Sequence, residues 1–141
     1  MDKQKLDHQL CFPLYSASKL VIASYTPFLE PFDLTYTQYI VMLVLWEKRS
    51  ITMAELGKIL HLDSGTLTPL TNKLIQKSLI KKEVDKFDRR KANLVLTVKG
   101  KRLKERMEDI PNKVGSCFPL GIDDAIALRK LLDKVIEGYE K

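Results

Sequence analysis

The stretch LHLDSGTLTPLTNKLIQK, residues 60–77, holds the end of one helix and the start of another. Asp63 has the character of a helix N-cap, because its carboxylate can accept a backbone N–H of the first turn, and Leu62 and Leu67 are spaced to close an apolar staple across it. This predicts a helix over about 63–77. Upstream, Thr52 with Glu55, flanked by Ile51 and Leu56, forms the same kind of start for MAELGKIL at 53–60. Two helices joined by a turn of about three or four residues predict a helix-turn-helix.

Working outward, Thr35 with Gln38, and Leu34 with Tyr39, mark another capped start. The following YTQYIVMLVLW is apolar nearly all round, which predicts a helix inside the core. Beyond Lys77, the runs Leu79, Ile80, Val84 and Leu94, Val95, Leu96 flank the charged DKFDRRK and predict a β-hairpin, whose tip lacks the Asn-Gly or Asp-Gly signature that would set its turn type. Thr97 then caps a helix with Leu103, Met107, Ile110 and Val114 at helical spacing, bent at Pro111. A last amphipathic helix is expected from about Ile122 to Tyr139. The fold class is mainly α with a small β-hairpin: a winged helix-turn-helix in a single domain over 1–141, with recognition helix about 63–77 and wing about 79–97.

The chain has 141 residues, 45% of them hydrophobic, enough for one compact domain or for a subunit that completes its core with a copy of itself. The formal charge of +6 favours a polyanionic partner. Residues 77–91 hold seven Lys/Arg against three Asp/Glu, an excess suited to phosphate. Ser64, Thr66, Thr68, Thr71, Asn72 and Lys73 supply short polar side chains able to reach base edges. Pro69 removes one helical hydrogen bond, to the Gly65 carbonyl, and is expected to tilt the first turn. At the wing tip, Arg90 can enter a minor groove with Asp88 holding its guanidinium, or the two form an ordinary surface ion pair.

With no signal peptide before Cys11 and no apolar run long enough to span a bilayer, the expected location is cytoplasmic, with no membrane partner. In that compartment Cys11 and Cys117 read as inert core thiols or as redox groups. His8, Cys11, His61 and Cys117 lack the paired close spacing of zinc modules, so no metal is expected, and no cofactor.

The segments QLCF at 9–12, LTYTQYIVMLVLWE at 34–47, LDSGTLTPL at 62–70, and Asp88, Arg90, Leu96 and Thr97 together resemble the MarR family of winged-helix transcription regulators, in its OhrR-like, organic-hydroperoxide-sensing branch. The chain departs from that pattern at Pro13, Thr71, Asn72 and Arg89. The resemblance implies a DNA-binding homodimer whose N-terminal helix and helices about 98–140 interlock, with recognition helices in major grooves roughly 34–36 Å apart on a pseudo-palindromic operator. It also implies that Cys11 senses an organic hydroperoxide or related oxidant. Tyr25 and Tyr36 would hydrogen-bond the sulfur from the partner subunit.

The chemistry of a sensor at Cys11 is sound, since the reactive form is the thiolate and the partial positive charge of a helix N-terminus favours it. Pro13 fits a first helical turn. On the same resemblance Cys117, in the break VGSCFPLG, is the resolving thiol, giving a Cys11 to Cys117 intersubunit disulfide and a repressor that binds DNA when reduced. Read from composition alone, Cys11 would be an inert thiol among Leu10, Phe12 and Leu14, and the tyrosines core packing. A repressor released by a small phenolic or drug-like ligand, with Cys11 incidental, is the alternative. A thiol enzyme is not expected, since no C-x-x-C is present.

Overall fold

The computed structural model describes residues 3–88 and 90–140; Arg89, one of the cations counted in the wing, lies outside the described residues. By its internal contacts the chain divides into two compact units, one ending at Ile110 and the other starting at Pro111.

The first unit is built around α2 (Tyr36–Lys48). Thr35 caps it with both bonds of a capping box: Thr35 Oγ1 accepts the Gln38 N–H at 3.2 Å, and Gln38 Oε1 accepts the Thr35 N–H at 3.2 Å. Tyr39, Val41, Met42, Val44 and Leu45 are buried, while Leu43 stays on the exposed side. Helix α2 packs against α1 (Cys11–Leu29), α3 (Met53–Leu60), α4 (Ser64–Gln76) and α5 (Val98–Arg106).

The helix-turn-helix forms where the caps place it. Thr52 accepts the Glu55 N–H at 3.1 Å and Asp63 accepts the Thr66 N–H at 2.8 Å. Between α3 and α4, His61 adopts the left-handed conformation at φ 56°, and the Leu62 N–H returns to the Gly57 carbonyl at 3.0 Å. That closure requires glycine, because a Cβ on Gly57 would stand 2.9 Å from the Leu62 carbonyl oxygen.

The expected hairpin is β2 (Ile80–Val84) and β3 (Ala92–Leu96), with Ile80 opposite Leu96 and Val84 opposite Ala92. A third strand, β1 (Ser50–Thr52), pairs with the other edge of β3 and sets Ile51 opposite Leu94. The wing is therefore the outer part of a three-stranded antiparallel sheet in the order β1-β3-β2. Three residues with one apolar side chain are too short to show a strand period, and the strand exists because β3 pairs with it.

The sheet joins α4 and α5 through a tight knot. Thr97 Oγ1 donates to the carbonyl oxygens of Ser78 and Leu79 and accepts the Gly100 N–H at 3.0 Å, capping α5. Trp46 Nε1 donates to the Gly100 carbonyl at 2.9 Å. At Gly100 a Cβ would lie 2.2 Å from the Leu79 carbonyl oxygen.

One expectation is corrected here. The long helix bent at Pro111 is two helices: α5 ends at Arg106, and α6 (Ile110–Cys117) begins afresh. Pro111 falls in the first turn of α6, where its missing N–H has no intrahelical acceptor to lose. Leu103, Met107 and Ile110 are buried as their spacing implied. The second unit continues through α6 to α7 (Ile122–Tyr139), which has the expected bounds and no buried residue. No helix among the described residues is long and apolar enough to cross a membrane.

Gly100→Ala forces backbone apart at the knot and is expected to lower unfolding free energy by about 2–3 kcal/mol, measured by urea denaturation. Asp63 is held below the ordinary carboxylate value of 3.8, first by its backbone hydrogen bond with Thr66. A depressed folded pKa stabilises above the unfolded value and is lost as pH falls through the folded one. The stability gap between the native chain and Asp63→Ala should therefore be full at neutral pH and close below pH 3.8, which urea denaturation at a series of pH values checks.

Candidate nucleic-acid interface and thiol site

Helix α4 has two faces with the same period. Leu67, Leu70, Thr71 and Leu74 recur at spacings of three and four and are buried. The opposite face, Gly65, Thr68, Pro69, Asn72 and Gln76, is exposed, with Ser64, Thr66 and Lys73 also in solvent. Of the six residues expected to reach bases, Thr71 therefore does not lie on the exposed face. It is 2% exposed, and its hydroxyl donates to the Thr68 carbonyl at 3.1 Å. Its position four after Leu67 and three before Leu74 already marks the inner stripe. The same arithmetic, four residues on from Asn72, brings Gln76 onto the outer stripe.

The wing tip is held by side chains acting on its own backbone. Asp88 Oδ1 accepts the Arg90 N–H at 3.0 Å and lies 3.3 Å from Arg90 Nε, so the two residues named at the wing tip are paired. The pair is exposed and adds little stability of its own. Arg90 also borders a cleft of about 510 Å³ with Ser64, Leu67 and residues of α3, which sets the wing beside the start of α4.

Cys11 is the first residue of α1 and is exposed. The N-cap position is Leu10, which offers no side-chain acceptor, so the amides of the first turn are uncapped by it. Within the single chain the thiol is outside the core, and Leu10, Phe12 and Leu14 around it are exposed as well. Cys117 ends α6 and is also exposed, with Ser116 Oγ 4.0 Å from its sulfur.

Tyr25 and Tyr36 do come together. Their ring centroids lie 4.8 Å apart, and Tyr39 extends the group at 6.0 Å from Tyr25. Burial, and then the neighbouring Tyr36, push the Tyr25 phenol above its ordinary value of 10.0, so it keeps its proton for donation. Tyr25 is fourteen residues beyond Cys11 on one helix, about 21 Å along its axis at 1.5 Å per residue. Within one chain these phenols cannot reach that sulfur.

A cation that the sequence reading counted toward phosphate instead links the start of α2 to α4. Lys77, just past the end of α4, donates from Nζ to Gln38 Oε1 at 2.9 Å and to the Asp33 carbonyl, with the Asp33 carboxylate 3.6 Å away. The oxygen of Gln38 that closes the α2 capping box thus also holds the end of α4. Lys77 looked like one more phosphate-binding cation because charge counting carries no information on partners. Among the described residues, no group of three or more His, Cys, Asp and Glu side chains could hold a metal ion.

Residues 23–107 match the family model described as transcriptional regulator SarA/Rot. SarZ, an HTH-type transcriptional regulator of Staphylococcus saprophyticus, is 40% identical over 134 residues, covering 95% of this chain and 92% of SarZ. The organic hydroperoxide resistance transcriptional regulator of Bacillus subtilis is 37% identical, covering 96% of this chain and 92% of its own. Among solved structures, AbfR of Staphylococcus epidermidis is similar in several states. Reduced and bound to DNA it is 33% identical, with a TM-score of 0.80 over 94% of this chain and 93% of that one. Overoxidized and bound to DNA it is 32% identical, with a TM-score of 0.80 over 96% and 95%, and with its disulfide formed 34%, with a TM-score of 0.68 over 93% and 92%. These relatives are named as regulators, a DNA-binding role and not a catalytic one. With its middle matched by the family model and nearly its whole length matched at 37–40% identity, the chain belongs to the SarA/Rot family of MarR-like winged-helix transcriptional regulators.

Proposed function

We propose that this regulator is a redox-sensing repressor, a homodimer that binds a pseudo-palindromic operator while Cys11 is reduced and leaves it on oxidation. The observation that carries the reading is the geometry of α1: an exposed thiol at its first residue, and toward its far end the half-buried Tyr25, which keeps its proton and packs against Tyr36 of α2. A second copy could bring its tyrosines to the sulfur. The same copy would cover apolar side chains that one chain leaves in water, among them Leu10, Leu20 and Ile22 on α1 and Ile126, Leu131 and Val135 on α7.

The chemistry balances with a hydroperoxide as oxidant. The thiolate takes the terminal oxygen of ROOH, leaving ROH and a sulfenic acid; the thiol of Cys117 from the other subunit then condenses with it to a disulfide, releasing water. The name of the Bacillus relative supports the oxidant class, and the AbfR structures support both ends of the switch. DNA contact is assigned to Ser64, Thr66, Thr68, Asn72 and Lys73 on α4, to Gln76 on the same exposed stripe, and to Arg90 held by Asp88. The protein acts in the cytoplasm, where its operator is.

A second reading has its own observation. A cavity of about 410 Å³, lined by Ile22, Thr26, Leu34, Tyr36 and Lys77 among others, could take a small phenolic ligand. Release by such a ligand would survive Cys11→Ser, whereas release by oxidant would not.

The first experiment treats reduced protein with one equivalent of cumene hydroperoxide and records intact mass without reductant under denaturing conditions. A covalent dimer, mapped to a Cys11 to Cys117 linkage and lost in either Cys→Ser variant, is expected; no reaction at all would overturn the sensor. On a duplex selected by the reduced protein from a random pool, the linked dimer should bind at least a hundredfold more weakly at matched salt. Lys77→Met should cost about 1–2 kcal/mol of stability by urea denaturation, and should narrow that affinity gap if Lys77 couples α2 to α4.

A further inference from the structure

The wing carries a side chain that neither the fold nor the thiol switch uses. Phe87 is 99% exposed, the highest value among the exposed large apolar side chains of the described residues. The apolar side chains of α1 and α7 lie on helix faces that a second copy would cover; Phe87 lies at the tip of a hairpin. Its projection is built in. Asp85 Oδ1 accepts the Phe87 N–H at 2.8 Å and the Asp88 N–H at 3.4 Å, forming an Asx turn. The hairpin is closed behind it by the Asp85 N–H on the Lys91 carbonyl and the Lys91 N–H on the Asp88 carbonyl, both at 3.0 Å. The backbone on either side of the ring is thus hydrogen-bonded locally.

Two further facts narrow the partner. Lys81, Lys82, Lys86, Arg90 and Lys91 share this hairpin with Glu83, Asp85 and Asp88, a cationic excess that favours an anionic partner for the ring. Arg90, three residues beyond the ring and paired with Asp88 at 3.3 Å, borders the cleft shared with Ser64 and Leu67, so the tip lies alongside the first turn of α4 and addresses the same ligand. A duplex minor groove offers phosphate walls for the cations and an apolar lining of sugars and base edges for the ring, and apolar side chains are known to wedge between base steps there.

We propose that Phe87 is an apolar minor-groove contact that enters a deformable base step beside Arg90 and selects DNA sequence at that flank. Pyrimidine–purine steps unstack most easily, so the preference is for TA or CA/TG at the wing position. The inference rests on the DNA-binding reading of the wing and adds a residue and a sequence preference to it.

The test uses the reduced, full-length protein. Native chain and Phe87→Ala are each used to select duplexes from one randomised pool, and both are titrated on the duplex the native chain prefers. The expected result is a TA or CA/TG step enriched symmetrically outside the major-groove core by the native chain and not by Phe87→Ala. Affinity should fall about tenfold or more, with an unchanged slope of log K against log salt because no phosphate contact is lost. Arg90→Ala, by contrast, should lower that slope. 2-Aminopurine placed at the enriched step should brighten on binding the native chain alone. Equal selection and equal affinity for Phe87→Ala would overturn this inference and leave the DNA-binding reading intact; a native chain that enriches no duplex would overturn both. Phosphatidylglycerol vesicles that bind the native chain and not Phe87→Ala, with duplex affinity unchanged, would assign the ring to a membrane instead and equally overturn it.

Discussion

The contact of Gly100 with the Leu79 carbonyl is the constraint on which the DNA-binding half of the molecule depends. Leu79 follows α4, and Gly100 lies in the first turn of α5, so one close approach fixes α4, the base of the wing and the following helix together. Thr97 completes it by serving both sides with one hydroxyl, donating to Ser78 and Leu79 and accepting from Gly100. Trp46 ties the same turn to the central helix through Gly100's own carbonyl. Backbone contacts of this kind tolerate little intermediate displacement, because interiors are packed and side chains cannot absorb the shift. The angle between α4 and the wing is therefore fixed by construction.

A second constraint joins that rigid body to the start of α2. The Gln38 side-chain oxygen that closes the α2 cap also accepts from Lys77, so the cap of the tyrosine-bearing helix and the residue just past α4 meet in a single hydrogen-bonded cluster. Displacing Tyr36 would move a helix terminus whose cap is also an anchor of α4. On the proposed mechanism this is a short physical route from the thiol site to DNA: a partner's sulfur, the Tyr25–Tyr36 pair, the capping box, Lys77, then α4.

Much of this was legible in the sequence because caps are local. Thr35, Thr52, Asp63 and Thr97 each announce a helix through a bond spanning only three residues, and all four bonds are present. Strand β1 and the break before α6 were not legible, since the first depends on pairing with residues over forty positions away and the second on how the chain leaves α5 near a buried Met107. Thr71 was misplaced for a different reason. Its residue type suggested readout while its spacing from Leu67 and Leu74 required burial, and in a short amphipathic helix spacing outranks type. Lys77 shows the converse: composition counts a cation, and only the fold tells whether it faces phosphate or a carbonyl.

On the proposed mechanism, the nature of the oxidised state follows from how much a repressor must lose. Moving a site from nearly filled to nearly empty takes on the order of a 10⁴-fold difference between states. An oxygen on an exposed thiol at the start of α1 alters charge locally and constrains no backbone, and the overoxidized AbfR structure, bound to DNA, is in keeping with that. A disulfide is different in kind, because it requires Cα atoms within about 7 Å and holds them there. In a symmetric dimer it would form twice and act on both recognition helices. Two helices that must enter grooves one turn of DNA apart cannot both remain seated if the distance between them changes. Release would then come from lost register between two rigid halves, with each half retaining its own fold.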